Sequence, residues 1–239
     1  MMKKINVLII VAAFTIGNVE AEVVSFFNKT DVFVKKYVNN GNVNYKDVKR
    51  NFTEIESLYA TIGAMNLDDS DEVSKKAFYL NAYNLIVIYQ ISKYYPLKSP
   101  MDQSGFFDRV KHKVAGESLT LNEIEIKKII LIYKDPRIHF ALACGAVSCP
   151  ELASFAYQPK ILNEQLDART KKAINDPKFI QLSSKDNLVK ISEIFKWYKR
   201  DFTGNGDTVL GFINQFRNSP IPSGYTQDYY QYNWNLNEM

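Results

Sequence analysis

Residues 77–89, Ala77-Phe-Tyr-Leu-Asn-Ala-Tyr-Asn-Leu-Ile-Val-Ile-Tyr89, decide how this chain folds. The run is apolar almost all round a helix and holds no Gly or Pro. Such a helix belongs at the centre of a core rather than on a surface. The pattern extends over about residues 70–93, with Asp69 placed to cap it and Glu72 three positions on, as a capping box requires. Pro96 and Pro100 close the region. Asn81 and Asn84 interrupt the apolar surface and share one face, being three residues apart. Burying an unpartnered amide costs about 2–7 kcal/mol on transfer scales, so both must find backbone, water or a polar site.

Upstream of this helix, Asp31 to Val38 is helical in pattern and Asn39-Asn-Gly41 stops it, while 45–63 reads as a second helical region. Downstream, Lys98 to Val114 is loop-like, with Phe106 and Phe107 as anchors. Thr120 and Glu123 form a second capping-box pair, opening a helix to about Tyr133 that Asp135-Pro136 ends. Residues 137–144 run apolar and predict a buried strand. An amphipathic helix is expected over 160–175, and Phe179 to Leu182 with Leu188 to Ile191 predict a hairpin around a polar turn. Ser192 can cap a helix reaching Phe202, Thr203-Gly-Asn-Gly-Asp207 is a turn, and a last helix covers about 208–217. Helices first and a small sheet later imply α+β: a helix-rich single domain packed around a small, mainly antiparallel sheet, with a papain-like arrangement as one option. No repeat, low-complexity tract or linker divides residues 22–239.

The first 21 residues read as an export signal: Lys3 and Lys4, an uncharged apolar core from Ile5 to Ile16, then Val19-Glu20-Ala21 as a small-x-small cleavage pattern. Cleavage after Ala21 would leave a periplasmic or secreted protein with no membrane span. The net charge of +4 is mild for 239 residues and gives no reason to expect nucleic acid as a partner. An unidentified peptide or small molecule is the expected ligand. An exported chain can keep a disulfide, and two cysteines allow one bridge or two thiols.

Chemistry concentrates in Arg137-Ile-His-Phe-Ala-Leu-Ala-Cys-Gly-Ala-Val-Ser-Cys-Pro150, which holds both cysteines and one of two histidines. Pro150 is suited to a first helical position, which would make Cys149 an N-cap whose thiol pKa is lowered by the helix end. On a strand, His139 and Cys144 would point to opposite faces, so His139 with Cys149 is the better catalytic pair and Cys144 fits the core. Asn84 or Glu125 could orient the imidazole, as the third group of a thiol triad does. The plainer alternatives are a core histidine bonded to a carbonyl, amides that tie down a loop, and a solvent-facing Glu125. His139-x4-Cys144-x4-Cys149 departs from standard zinc spacings, and the glycine-rich turn at 203–207 lacks the closing Glu of a calcium loop, so no metal or cofactor is expected.

Asn81-Ala-Tyr-Asn84, Ile124-Glu125, Pro136-Arg-Ile-His-Phe-Ala-Leu142, Cys144-Gly-Ala-Val-Ser-Cys-Pro150, Phe195-Lys-Trp-Tyr198 with Asp201-Phe202, and Tyr232-Asn-Trp-Asn-Leu-Asn237 resemble, in order, the family named domain of unknown function 547. The resemblance supplies no activity. It implies an exported single-domain protein, and it marks Asn81, Asn84, Glu125, His139, Cys144, Cys149 and Asp201 as motif positions, with Arg137 inside the central motif. Ile126 stands where the family often has His, and Asn233 where it often has Asp. The expected function is a thiol-dependent hydrolase or acyltransferase acting on an amide, ester or thioester. Cys149 would be the nucleophile, His139 the base, Asn84 or Glu125 the orienting group, and Asn81, Arg137 and Asp201 binding residues. The alternatives are a non-catalytic binding or scaffold module with a Cys144–Cys149 disulfide, and a redox protein that cycles the pair.

Overall fold

The computed structural model describes residues 5–204 and 206–239, with side-chain surroundings from residue 21 onward. Its order is α1 (Ile5–Tyr37), the β1–β2 turn (Val38–Asn39, Asn42–Val43), α2 (Tyr45–Arg50), α3 (Phe52–Ala64) and the central α4 (Glu72–Tyr94). The expected cleavage point falls inside α1; most of the signal pattern lies outside the described residues or their side chains. Helix α4 is the core element the sequence predicts. Phe78, Leu80, Ala82, Ile86 and Ile91 are fully buried, and α1, α2 and α3 pack against it. Its cap is Asp71, whose carboxylate accepts from Ser74 N–H at 2.8 Å, and Asp69 sits in the preceding turn.

The hairpin β3–β4 (His112–Val114, Glu117–Leu119) follows, then a helical stretch from Leu121 to Tyr133 in three parts. Its ends are α-helical, α5 (Leu121–Glu123) and α6 (Leu131–Tyr133), and its middle, Ile124–Ile130, is a π-helix. The Thr120–Glu123 capping box forms as expected. A π turn carries one more residue per turn than an α turn and re-aims its side chains, which is why such turns gather at functional sites.

The predicted strand over 137–144 is not formed. Pro136–Phe140 is a 3₁₀ helix capped by Asp135, whose carboxylate accepts from Arg137 N–H at 3.0 Å. The Asp-Pro start signal outweighs the apolar run that follows, and that run reflects burial rather than strand pairing. Asn84 does the work of a sheet neighbour: it donates to Ala141 O and accepts from Ala143 N–H, both at 2.9 Å. Nor does a helix begin at Pro150. Residues 150–158 are irregular, and the next helices are a 3₁₀ turn at Pro159–Ile161 and α7 (Leu162–Asn175). Segment 145–152 is claimed by the C-terminal tail and the β1–β2 turn instead. Val147 N–H donates to Asn235 O at 2.8 Å, Asn237 N–H donates to Gly145 O at 3.0 Å, and Leu152 bridges Gly41. Gly145 makes the turn at φ +80°, where a Cβ would stand 2.5 Å from the Ile91 side chain.

The last third holds β5 (Ile180–Ser183) and β6 (Leu188–Ile191), paired antiparallel as predicted. The expected helix from Ser192 breaks at Tyr198 into α8 (Ile194–Trp197) and α9 (Lys199–Thr203). Helix α10 (Val209–Phe216) starts at Thr208, and β7 (Thr226–Tyr229) joins β6 in parallel. The class is α+β. Two apolar clusters adjoin. The larger surrounds α4, and the smaller is built from Phe140, Val189, Phe195, Phe202, Phe212 and Ile213. No helix among the described residues is long and apolar enough to cross a membrane.

Candidate functional site

Where the two clusters meet they leave a cavity of 280 Å³. Tyr83 and Leu142 line it from the larger core with Phe107 packed against that core, Ile194, Tyr198, Tyr232 and Trp234 line it from the smaller one or packed against it, and the exposed Trp197 completes the wall. Trp197 stacks on Trp234, with centroids 5.9 Å apart, and Tyr232 tilts against both. Glu125, His139, Cys144 and Cys149 supply the cavity's reactive groups.

Cys144 and Cys149 are joined as a disulfide, their Cα atoms 6.2 Å apart, a normal separation for a bridge. Both residues are half-buried. The Tyr232 hydroxyl lies 3.1 Å from the Cys149 sulfur and 3.2 Å from that of Cys144, and Cys144 N–H donates to Cys149 Sγ at 3.0 Å. Strand alternation put His139 and Cys144 on opposite faces. Without the strand, both line one cavity. The helix start expected at Cys149 is also absent, so no helix N-terminus faces its sulfur.

The 3₁₀ turn at 136–140 carries His139 into the seam. Its side chain is only 2% exposed, and Nε2 lies 2.7 Å from Asp201 Oδ2 on α9. Its ring packs on that of Tyr198 at 4.2 Å. The Tyr198 hydroxyl donates to Glu125 Oε1 at 2.5 Å. Glu125 is therefore buried and partnered rather than solvent-facing, and it sits within the π segment. Burial, then the Glu125 carboxylate, raises the hydroxyl pKa values of both Tyr83 and Tyr198 above the ordinary tyrosine range. Burial does the same to Tyr232.

The group that meets the imidazole is Asp201, not Asn84 or Glu125. Both ends of the Asn84 amide are spent on residues 141 and 143. Asn81 likewise clamps Tyr157, accepting from its N–H and donating to its carbonyl, both at 2.9 Å. Arg137 is turned away from the cavity and bonds Asp135, Asp167 and Asn163. Lys76 joins Asp135 at 2.7 Å. Burial pushes the Asp135 carboxyl up, but Arg137 and Lys76 outweigh it and hold its pKa at about 2. This ion cluster anchors the turn that carries His139. Residue-by-residue reading gave no role to Tyr83, Trp197, Tyr198, Tyr232 or Trp234, because an aromatic residue is by default core. Their one signal was membership of the family-like motifs. Among the described residues no group of three or more His, Cys, Asp and Glu is gathered to hold a metal.

Residues 67–174 match the family model described as "Protein of unknown function, DUF547". Over that span the chain is similar to the DUF547 family, the one its motifs resemble. The span holds Glu125, His139 and both cysteines; Tyr198, Asp201 and Tyr232 lie beyond it. No curated protein and no solved structure matches the chain.

Proposed function

We propose that the seam cavity is a thiol-dependent catalytic site for a small or peptidic ligand with an amide, ester or thioester carbonyl. The observation that supports it most is the convergence of Cys149, His139 and Glu125 on one aromatic-walled cavity, with His139 Nε2 held by Asp201 at 2.7 Å. A carboxylate on one imidazole nitrogen fixes the ring and leaves Nδ1 for proton transfer. The resting site holds the Cys144–Cys149 bridge, so a dithiol must first open it, itself becoming the disulfide. His139 then takes the Cys149 proton as the sulfur attacks the carbonyl. The leaving group departs with that proton, and water or a second nucleophile releases the acyl group. With no helix start at Cys149, the Cys144 N–H and the Tyr232 hydroxyl, both at its sulfur, are the donors placed to stabilise the oxyanion. The same reading places the protein outside the cytoplasm, on the N-terminal signal pattern and the bridge.

A second reading is favoured by the bridge itself: a binding module in which the disulfide is permanent and the cavity only holds its ligand. Free thiols counted in protein from its native compartment, followed by iodoacetamide labelling after mild dithiol treatment, separate the two. The catalytic reading expects an openable bridge, and thioester or ester turnover that Cys149→Ser and His139→Ala abolish. A bridge that resists dithiol in the folded protein, or turnover indifferent to both substitutions, refutes it in favour of the binding module.

A further inference from the structure

Cys149 and Pro150 also line a second cavity, of 430 Å³, whose lining carries charged side chains of both signs. Arg169 on α7 faces it together with Lys172 and Lys178, against two carboxylates, Glu151 and Asp176. Lys172 takes Glu151 at 2.5 Å. Arg169 is left over. It is 6% exposed, and among the described residues it forms no ion pair. Its Nη2 donates to the Glu151 carbonyl and its guanidinium lies within hydrogen-bonding reach of the Tyr157 hydroxyl, while Nε has no acceptor among the described residues. A guanidinium carries five donors and cannot shed its charge. Buried charges in proteins are paired or hold a ligand, because the cost of desolvating them is otherwise uncompensated. Tying down residue 151 explains one of its donors and does not explain why a buried cation has no counter-ion.

We infer that this cavity is an oxyanion-binding subsite, with Arg169 as its buried charge and Lys172 and Lys178 as its rim, and that it receives a carboxylate or phosphate group of the ligand. Because the two cavities adjoin at Cys149, a single ligand can place an apolar or aromatic part against Trp197 and Trp234 and an anionic part beside Arg169, with its carbonyl between them at the sulfur. That shared-ligand arrangement rests on the catalytic reading above; the anion subsite does not.

The test is titration of the full chain with inorganic phosphate and, separately, with acetate, followed by calorimetry and by Tm against sodium chloride of equal ionic strength. Saturable binding of either probe beyond the chloride control is expected, and which probe binds tells phosphate from carboxylate. Arg169→Gln should weaken it at least tenfold. Should that variant fail to fold, Lys172→Met, at a side chain 53% exposed, should keep the fold and weaken binding severalfold. Binding should survive in His139→Ala, whose ring lines the first cavity and not the second, so loss of the thiol chemistry and loss of the anion site are read independently. No saturable binding of either anion, or binding unchanged in folded Arg169→Gln, overturns the inference.

Discussion

Lowering the pH from 7 to 4 should destabilise this protein through His112, which does not line the cavity. His112 is buried, with Nε2 2.8 Å from Gln90 Oε1 and Nδ1 3.1 Å from the Tyr59 hydroxyl. Gln90 in turn donates to Phe106 O. These partners fit a neutral ring that donates from Nε2 and accepts at Nδ1. Burial, helped by Lys93, pushes its pKa down from 6.5 to about 4. In the unfolded chain the imidazole takes its proton near 6.5; in the fold it does so only near 4. Between those values the unfolded state binds more protons, so stability falls as pH falls, by about 3 kcal/mol across the window, and this group adds no loss below it. His112→Gln removes the titration and costs about 2 kcal/mol at pH 7 through two weakened buried hydrogen bonds. Urea unfolding of both proteins, followed by tryptophan fluorescence at half-unit steps of pH, gives the difference directly. Groups common to both cancel. The difference between the curves should shift by about 3 kcal/mol on going from pH 7 to pH 4, so the variant, about 2 kcal/mol the less stable at pH 7, becomes the more stable by about 1 kcal/mol at pH 4. Parallel curves would refute the reasoning.

Asn84→Ala should cost about 3 kcal/mol, because it strands a buried N–H at Ala143 and a carbonyl at Ala141, and urea unfolding reads it. Asp135→Asn should cost about 3–5 kcal/mol by leaving Lys76 and Arg137 without their shared partner. In the wild type that carboxylate stays ionised until the pH nears 2, so the variant's deficit should persist from pH 7 down to about 4. In reduced protein, Tyr232→Phe should slow alkylation of Cys149 severalfold at neutral pH, since it removes one hydrogen bond to the sulfur, worth about 1 kcal/mol. Iodoacetamide rates would show this, and an unchanged rate would count against the contact.

The fold was legible wherever local signals agreed with one another. Helix α4 declared itself through an apolar surface with no breaker, the Thr120–Glu123 pair through capping chemistry, and the β5–β6 hairpin through two short apolar runs around a polar turn. The misreadings share one cause, that a buried irregular segment and a buried strand have the same composition. What decides between them is the origin of their backbone partners. Here the partners come from far along the chain: an asparagine on α4 for 141–143, and the C-terminal tail for 145–148. Pro150 fails as a helix start for the same reason. At the site, the motif positions led to Glu125, His139 and the cysteines. The pairing of His139 with Asp201 spans 62 residues, and that of Tyr232 with Cys149 spans 83; no local spacing encodes either.

That reach bears on what counts as the functional unit. The matched span ends at residue 174, yet two of its buried polar groups find their partners downstream: His139 at Asp201 and Glu125 at Tyr198. A chain cut at 174 would also lose Trp197, Tyr232 and Trp234, which form much of the cavity wall. Each stranded group would then either drag water into the seam or lose its orientation, at about 1–3 kcal/mol or more apiece for buried polar groups. Those costs fall on the residues the proposed chemistry uses, so a truncated domain would lose the site even where α4 and its neighbours still packed. The cavity therefore belongs to the junction of the two cores and not to either one.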